Sequence, residues 1–565
     1  MKKVSKYIIL SGIIMGMYLM KNVIFSCDGQ IVKNKEISVN QEKWDALVVY
    51  HANIEDIGLL VNGKKIDTDL VFMQKNREIM VPASILGETF NCAVHLYNNT
   101  KLVLERYQTT VEFIKDTTDY YVNGEQKSMN LPMVKIDKDY YLPLGEAAKS
   151  MGYDFTWNGE ENNALLVNEN QSEQVIPYKY DLREVGRAPI IKNQGAFGTC
   201  WAVASVTALE SSLMPEESLI LAPDHMNHRN SFSNKSDEGG EYAMAVAYLS
   251  AWQGPVLEEE DVYGDEISPD NLNAVKHVQE VRFIESKNYN CIKEMVYKYG
   301  GVESSIYSSI VSNAYRSIYY NRENSAYCYI GKEKPNHEIV IIGWDDSYSK
   351  ENFSIEVEGD GAFICQNSWG EEFGDSGIFY VSYYDTNIGI YNVVYTEVEG
   401  TDNYDNIYQS DLCGWVGQLG YEKENAFFAN VYQTKKEESI ESVGFYALGK
   451  DTEYKIYLVE EFENKASLNK RKLVKTGYFE DAGYYTVRLP EKVVLPAGRK
   501  YAVIVEIFTP SSIHPVAIEF QAGKSTEHVD ITDGEGYISL SGNTWENVEE
   551  KQNCNLCLKV YTNDK

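Results

Sequence analysis

The chain is poor in positive charge. Across 565 residues it carries 52 Lys and Arg against 84 Asp and Glu, a formal net charge of −32. Nucleic-acid phosphates and anionic lipid headgroups would repel so acidic a surface, which argues against both as partners. It is compatible with a secreted or surface protein. Cysteine is sparse, with nine at positions 27, 92, 200, 291, 328, 365, 413, 554 and 557, and their spacing is not that of a disulfide scaffold. The lone CxxC, Cys554 to Cys557, has no second pair and no nearby His, so it reads as strand residues rather than a zinc or redox site. There are only eight His. His225 and His228 have helical ligand spacing but no third ligand, and His51 and His95 lack local partners. The stretch DITDGEG (530–536) lacks the full ligand series of a calcium loop. No metal and no cofactor is implied.

Length requires three or more domains, because a single core stops growing well short of this size. The ordinary apolar content makes them globular, and 43 Tyr suit β-rich ones. Lys2, Lys3 and Lys6 precede YIILSGIIMGMYLM (7–20), a run of signal-peptide length and short for a membrane span. IFSC (24–27) resembles a bacterial lipobox, although Lys21 and Asn22 interrupt the apolar run before it. Lipidation at Cys27, plain cleavage and an uncleaved anchor are the three readings of residues 1–27.

Residues 43–170 contain an internal repeat. VNGKK at 61 recurs as VNGEQ at 122, and VPASILGETFNCAV at 81 recurs as LPLGEAAKSMGYDF at 142, both 61 residues apart. Each unit reads as a strand, an Asn-Gly turn, a strand, a Pro-led amphipathic helix and a last strand. This resembles the small α+β repeat at the N-terminus of copper amine oxidases and on bacterial surface proteins, where it is a non-catalytic module.

Residues 175–398 place helices first (200–214, 241–252 and 290–300) and strands later, an α+β pattern. NENQSEQ (168–174) and EGTDNYDN (399–406) read as polar linkers. From 405 to 565 helical periodicity gives way to regularly spaced strands, the pattern of an all-β sandwich.

In NQGAFGTCWAVAS (193–205), Cys200 stands at the start of a helical run, where the helix N-terminus favours an anion. A thiol needs a base, and His337 stands at the mouth of the apolar strand in NHEIVIIGWDD, 137 residues later. Asn367 in CQNSWG can accept from the imidazole, and Trp369 can cover that bond. Gln194 can offer a side-chain N–H beside the Cys200 backbone N–H to an oxyanion.

These segments, with DEGGEYAMAVAYL (237–249), resemble the papain (C1) family of cysteine peptidases in order and content. The resemblance implies catalytic Cys200, His337, Asn367 and Gln194. It also implies a substrate groove at Gly239, Gly240 and Trp369, with the Gly240 backbone pairing with the P2 residue. Three positions depart from the family. Phe197 and Asp237 stand where a disulfide is usual, Glu338 follows the histidine where a small residue is usual, and no helical propeptide of the usual kind precedes the domain. The same order, with GWDDSYSKENF (343–353) and the tail from AFFANVYQ, resembles bacterial C1-family peptidases with a C-terminal lectin-like domain.

The expected architecture is therefore multidomain. An α+β papain-like domain, with a helical half and a β half, is preceded by small α+β repeats and followed by an all-β sandwich. The expected partners are protein or peptide substrates and, through the lectin-like tail, surface glycans. No nucleic acid is expected, and membrane contact only through the N-terminal segment. The expected place is extracellular or at the cell surface. The alternative is an inactive surface adhesin or carbohydrate-binding protein on a peptidase-like scaffold.

Overall fold

The computed structural model describes residues 9–10, 58–61, 64–66, 73–75, 78–90, 92–106, 109–136, 139–158, 163–167, 176–265, 267–310 and 315–565. The export segment other than Ile9 and Leu10, Cys27, His51 and the stretch 168–174 lie outside the described residues.

The sequence repeat is a structural repeat. Gly58–Val61, Glu78–Pro82, Ala93–Tyr97 and Lys101–Arg106 recur as Asp119–Val122, Asp139–Pro143, Asp154–Asn158 and Asn163–Val167. Pro143 leads the Leu144–Ser150 helix, its fixed φ suiting the entry. Pro82 leads a 3-10 turn, Ala83–Ile85, that continues into Leu86–Phe90. At the second Asn-Gly turn, Asn123 and Gly124 have φ of 50° and 82°, the left-handed pair that a two-residue hairpin needs. The copies interlock: Leu142 pairs with Val81, and Leu166 pairs in parallel with Val61. They share one core containing Leu86, Phe90, Leu142, Leu144 and Leu166.

The region from 176 onward is built on the Cys200–Leu213 helix. It is buried along nearly its whole length. Its one charged residue, Glu210, pairs with buried Lys192 at 2.7 Å, as burial of a charge requires. The strand His337–Asp345 runs antiparallel between Val302–Ile306 and Ala362–Gln366. The predicted helices appear as Cys200–Leu213, Tyr242–Ser250 and Tyr289–Tyr299.

One strand, His277–Ile284, had no clear sequence signal, and it changes the architecture. One of its edges pairs with Asn392–Glu399 and the other with Ala482–Leu495 of the C-terminal region. The two regions thus share a 13-stranded sheet. The expected linker at 399–406 is corrected accordingly. Asn403 Oδ1 lies 2.6 Å from His277 Nδ1, and buried Tyr404 places its hydroxyl 2.8 Å from Ser442 Oγ. Trp415, Tyr446, Leu448 and Tyr484 of the tail lie in one buried cluster with Leu249 and Val281. The segment is polar in sequence because it edges a junction, not because it spans a gap.

The tail itself packs a six-stranded sheet on its part of the large sheet. Phe428, Ile456 and Val505 on one face meet Val443, Phe445 and Val560 on the other. It is the expected β-sandwich, with one short helix, Val548–Gln552, beside its strands.

Candidate active site

Cys200 is the first residue of its helix, half-buried and free of any disulfide. Amide N–H groups there have no intrahelical partner, so they can serve the sulfur or a substrate oxygen. The backbone N–H groups of Trp201 and Glu338 lie near the sulfur and favour its charged form. The second of these brings the His337–Glu338 peptide beside the nucleophile although 137 residues separate them.

His337 opens the strand His337–Asp345 and is buried. Its Nε2 lies 2.7 Å from Oδ1 of Asn367, and the backbone N–H of Ser368 donates to the same atom at 2.8 Å. A backbone N–H can only donate, so that atom is the amide oxygen. It follows that Nε2 carries the imidazole hydrogen and Nδ1 is the nitrogen left to accept a proton. Trp369 stacks on the imidazole, with centroids 4.8 Å apart and planes at 29°, and shields the hydrogen bond from water.

Gln194 lies across the nucleophile turn. Its Oε1 accepts from Ser368 Oγ at 2.5 Å, while its Nε2 donates to Phe197 O at 2.8 Å and has a second hydrogen to offer. Tyr263 donates to Gln194 O at 2.9 Å and lies 2.5 Å from Thr199 Oγ1, bracing the turn. Gly239 has φ of 74°, and a Cβ on Gly240 would sit 2.6 Å from the Trp201 indole. Where the family's disulfide is absent, the Gly198 N–H donates to Ser236 O at 2.8 Å and the Phe197 ring meets Tyr263 edge-on.

Burial disfavours charge on either central group alone. It pushes the Cys200 thiol up to about 11, against the pull of its two backbone donors. It pushes His337 down to about 4, opposed by the bond to Asn367.

Hydrogen bonds and stacking join His337, Asn367, Gln194 and Trp369 through Ser368, Cys200 lies near the backbone of Glu338, and a Cβ on Gly240 would meet Trp201 beside the thiol. The other histidine pair is occupied structurally: His225 Nδ1 lies 2.6 Å from Tyr248 OH, and His228 is 3.8 Å from Asp224. Among the described residues no group of three or more His, Cys, Asp or Glu could hold a metal. Sequence reading missed Ser368, which lies in plain view within NSW. It also missed Tyr263, whose position depends on a distant loop and has no local signal.

Three family models match the chain: copper amine oxidase N-terminal domain over residues 60–166, papain family cysteine protease over 176–398, and lectin-like domain over 407–562. Cathepsin K of Mus musculus is 29% identical over 209 residues, which is 36% of this chain and 58% of cathepsin K. Pro-cathepsin H of the same species is 26% identical over 235 residues, 40% of this chain and 67% of that one. Among solved structures, the clostridial cysteine protease Cwp84 after propeptide cleavage is 25% identical with a TM-score of 0.61. That match covers 68% of this chain and 99% of that one. The cysteine protease and lectin-like domains of Cwp84, a surface layer associated protein of Clostridium difficile, match at 25% identity and a TM-score of 0.60. They cover 69% of this chain and 89% of that one.

Proposed function

Because residues 176–398 are a papain-family cysteine protease domain, followed by a lectin-like domain, we propose that the chain hydrolyses peptide bonds with Cys200 as nucleophile. The observation that carries this reading is the His337 and Asn367 pair, with Cys200 near the backbone of the residue that follows His337. The thiol sits at a helix N-terminus beside the His337–Glu338 peptide, and the amide oxygen fixes the imidazole tautomer.

His337 Nδ1 takes the thiol proton as sulfur attacks the scissile carbonyl. Neither charge is favoured alone in this buried setting, so thiolate and imidazolium form together and stabilise one another. The Cys200 backbone N–H and the second Gln194 Nε2 hydrogen hold the oxyanion. His337 then returns the proton to the departing amine. Water attacks the thioester with His337 again as base, releasing the acid and the free thiol. Asn367 keeps the ring oriented throughout, and Trp369 keeps that bond dry. Gly240 offers backbone to the substrate's P2 residue as a β-type contact.

The repeat module (43–170) and the tail (405–565) carry no nucleophile, base and oxyanion set of their own. We assign them to positioning the enzyme, the tail toward surface glycans. Export through residues 1–27 to the cell surface, with or without a lipid at Cys27, fits the surface-layer association of the similar Cwp84. The test is selective labelling by a thiol-directed epoxide. Adduct at Cys200 with loss of peptide cleavage is expected. An unlabelled Cys200 in a folded protein points to the inactive adhesin.

A further inference from the structure

We propose that Glu338 and Glu241 set the substrate specificity of this site, selecting lysine or arginine at P2. This deepens the peptidase reading and rests on it.

Glu338 follows the base, and its backbone N–H lies near the Cys200 sulfur. Glu241 follows Gly240, the proposed P2 contact, and leads the Tyr242–Ser250 helix. The two carboxyls interact electrostatically, so they face one region. Tyr242 and Tyr391 interact with both and place their rings 6.2 Å apart as a wall. A peptide with its carbonyl over Cys200 and its backbone along Gly240 would direct its P2 side chain toward these residues.

Ser305 pairs in register with Glu338 and Glu303 with Val340, so Glu303, Ser305 and Glu338 share one face of the sheet. Ser305 Oγ donates to both Glu338 oxygens, at 2.8 and 2.7 Å. Glu303 is buried. Its Oε2 accepts from Ser205 at 2.7 Å, its Oε1 has no hydrogen-bond partner, and it interacts electrostatically with Glu338. Among the described residues, no Lys or Arg acts on Glu241, Glu303 or Glu338. Burial holds all three carboxyls above the ordinary carboxylate range with no cation beside them, and a Lys or Arg head placed there would favour their charged forms. An apolar P2 residue would leave them in the protonated form that burial favours. The tyrosine rings suit the alkyl stem and charged head of Lys or Arg. Burial, helped by Glu241, pushes the Glu338 carboxyl up to about 7, and a bound cation would restore its charge.

The experiment uses the full chain and fluorogenic peptides that share P1 and differ at P2: Arg, Lys, Leu or Glu. The expected kcat/KM for Arg and Lys exceeds that for Leu by at least about tenfold, with Glu lowest. Glu338→Gln and Glu241→Gln should each lower the Arg-to-Leu ratio by about tenfold or more. The Leu peptide is the internal reference: a folding defect lowers both rates and leaves their ratio unchanged. Wild-type preference for Leu, or a ratio unaltered in both variants, overturns the proposal while leaving the peptidase reading standing. Failure to cleave any peptide, with no epoxide adduct at Cys200, overturns both.

Discussion

Ser525, in the lectin-like region, donates its hydroxyl to Oδ1 of Asn234, and Asn234 Nδ2 donates to the carbonyl of Gly239 at 2.9 Å. Beside this pair the Ser233 N–H donates to Ser525 O at 2.8 Å, and Lys524 pairs with Glu238. The tail thus grips the loop that carries Gly239 and Gly240. It does so where a disulfide between positions 197 and 237 is absent.

Removing that grip should act on substrate binding. Ser525→Ala loses one hydrogen bond, a change of about 1 kcal/mol, which corresponds to roughly a fivefold rise in KM. Asn234→Ala, which also frees Gly239 O, should raise KM further. Steady-state kinetics on a small peptide check this. An equal fall in kcat with no change in KM would show that the loop is not positioned this way.

The nucleophile and its partners should rank by role. Cys200→Ala should remove turnover and leave the fold intact, since a small residue is tolerated at the helix start. His337→Ala should be nearly as severe. Gln194→Ala should lower kcat by about 10²-fold, the usual effect of losing one oxyanion donor. Asn367→Ala should be milder than His337→Ala because it loses orientation and not the base. Wild-type turnover by Cys200→Ala would end the peptidase reading.

The pH dependence follows from His337. A protonated imidazole cannot accept the thiol proton, so kcat/KM should hold as pH falls through the ordinary histidine range near 6.5 and collapse only around 4. Stability follows the same sign. The unfolded chain binds the proton first, so the stability due to a neutral buried His337 declines as pH falls from 6.5 toward 4. In His337→Ala the thiol has lost its base, and burial holds it up toward about 11. Its alkylation rate should then climb only in the alkaline range. A plateau at neutral pH in that variant would contradict this.

Gly240→Ala should be costly. Its Cβ would sit 2.6 Å from the indole of Trp201, which is buried and adjacent to Cys200. Overpacking of this kind costs about 1–3 kcal/mol and would displace the nucleophile. A lowered Tm together with a lowered kcat/KM is the expected pair of readings. A normal Tm with normal turnover would show that the indole relaxes freely.

The peptidase and tail should unfold together. Tyr484 is fully buried in the core common to both, and its hydroxyl lies 2.5 Å from that of Tyr561. Tyr484→Ala should destabilise by about 3–5 kcal/mol, and calorimetry should show one transition shifting for both regions. Ending the chain at 398 would expose this core and free one edge of His277–Ile284, so loss of soluble, active protein is expected. Two independent transitions would mean that the shared sheet does not couple them.

Much of this was legible in the sequence, for local reasons. The absence of Gly and Pro after Cys200 makes a helix that begins at the thiol. A 61-residue period with Asn-Gly and Pro at matching places makes a duplicated unit. His337 heads an apolar strand, and Asn367 and Trp369 lie together in one short motif. What the sequence could not decide was which distant edges and side chains meet. Alternation shows that a strand has two edges, but not that His277–Ile284 would spend one on each region. A polar stretch looks the same as a linker or as the rim of a junction, because only the packing around it differs. Ser525 and Asn234 lie 291 residues apart, and Glu303, Glu338 and Glu241 come from separate segments. Hydrogen bonding and charge act through space at a few ångströms, so the groove's support and its acidity arise only when the tertiary fold brings these segments together.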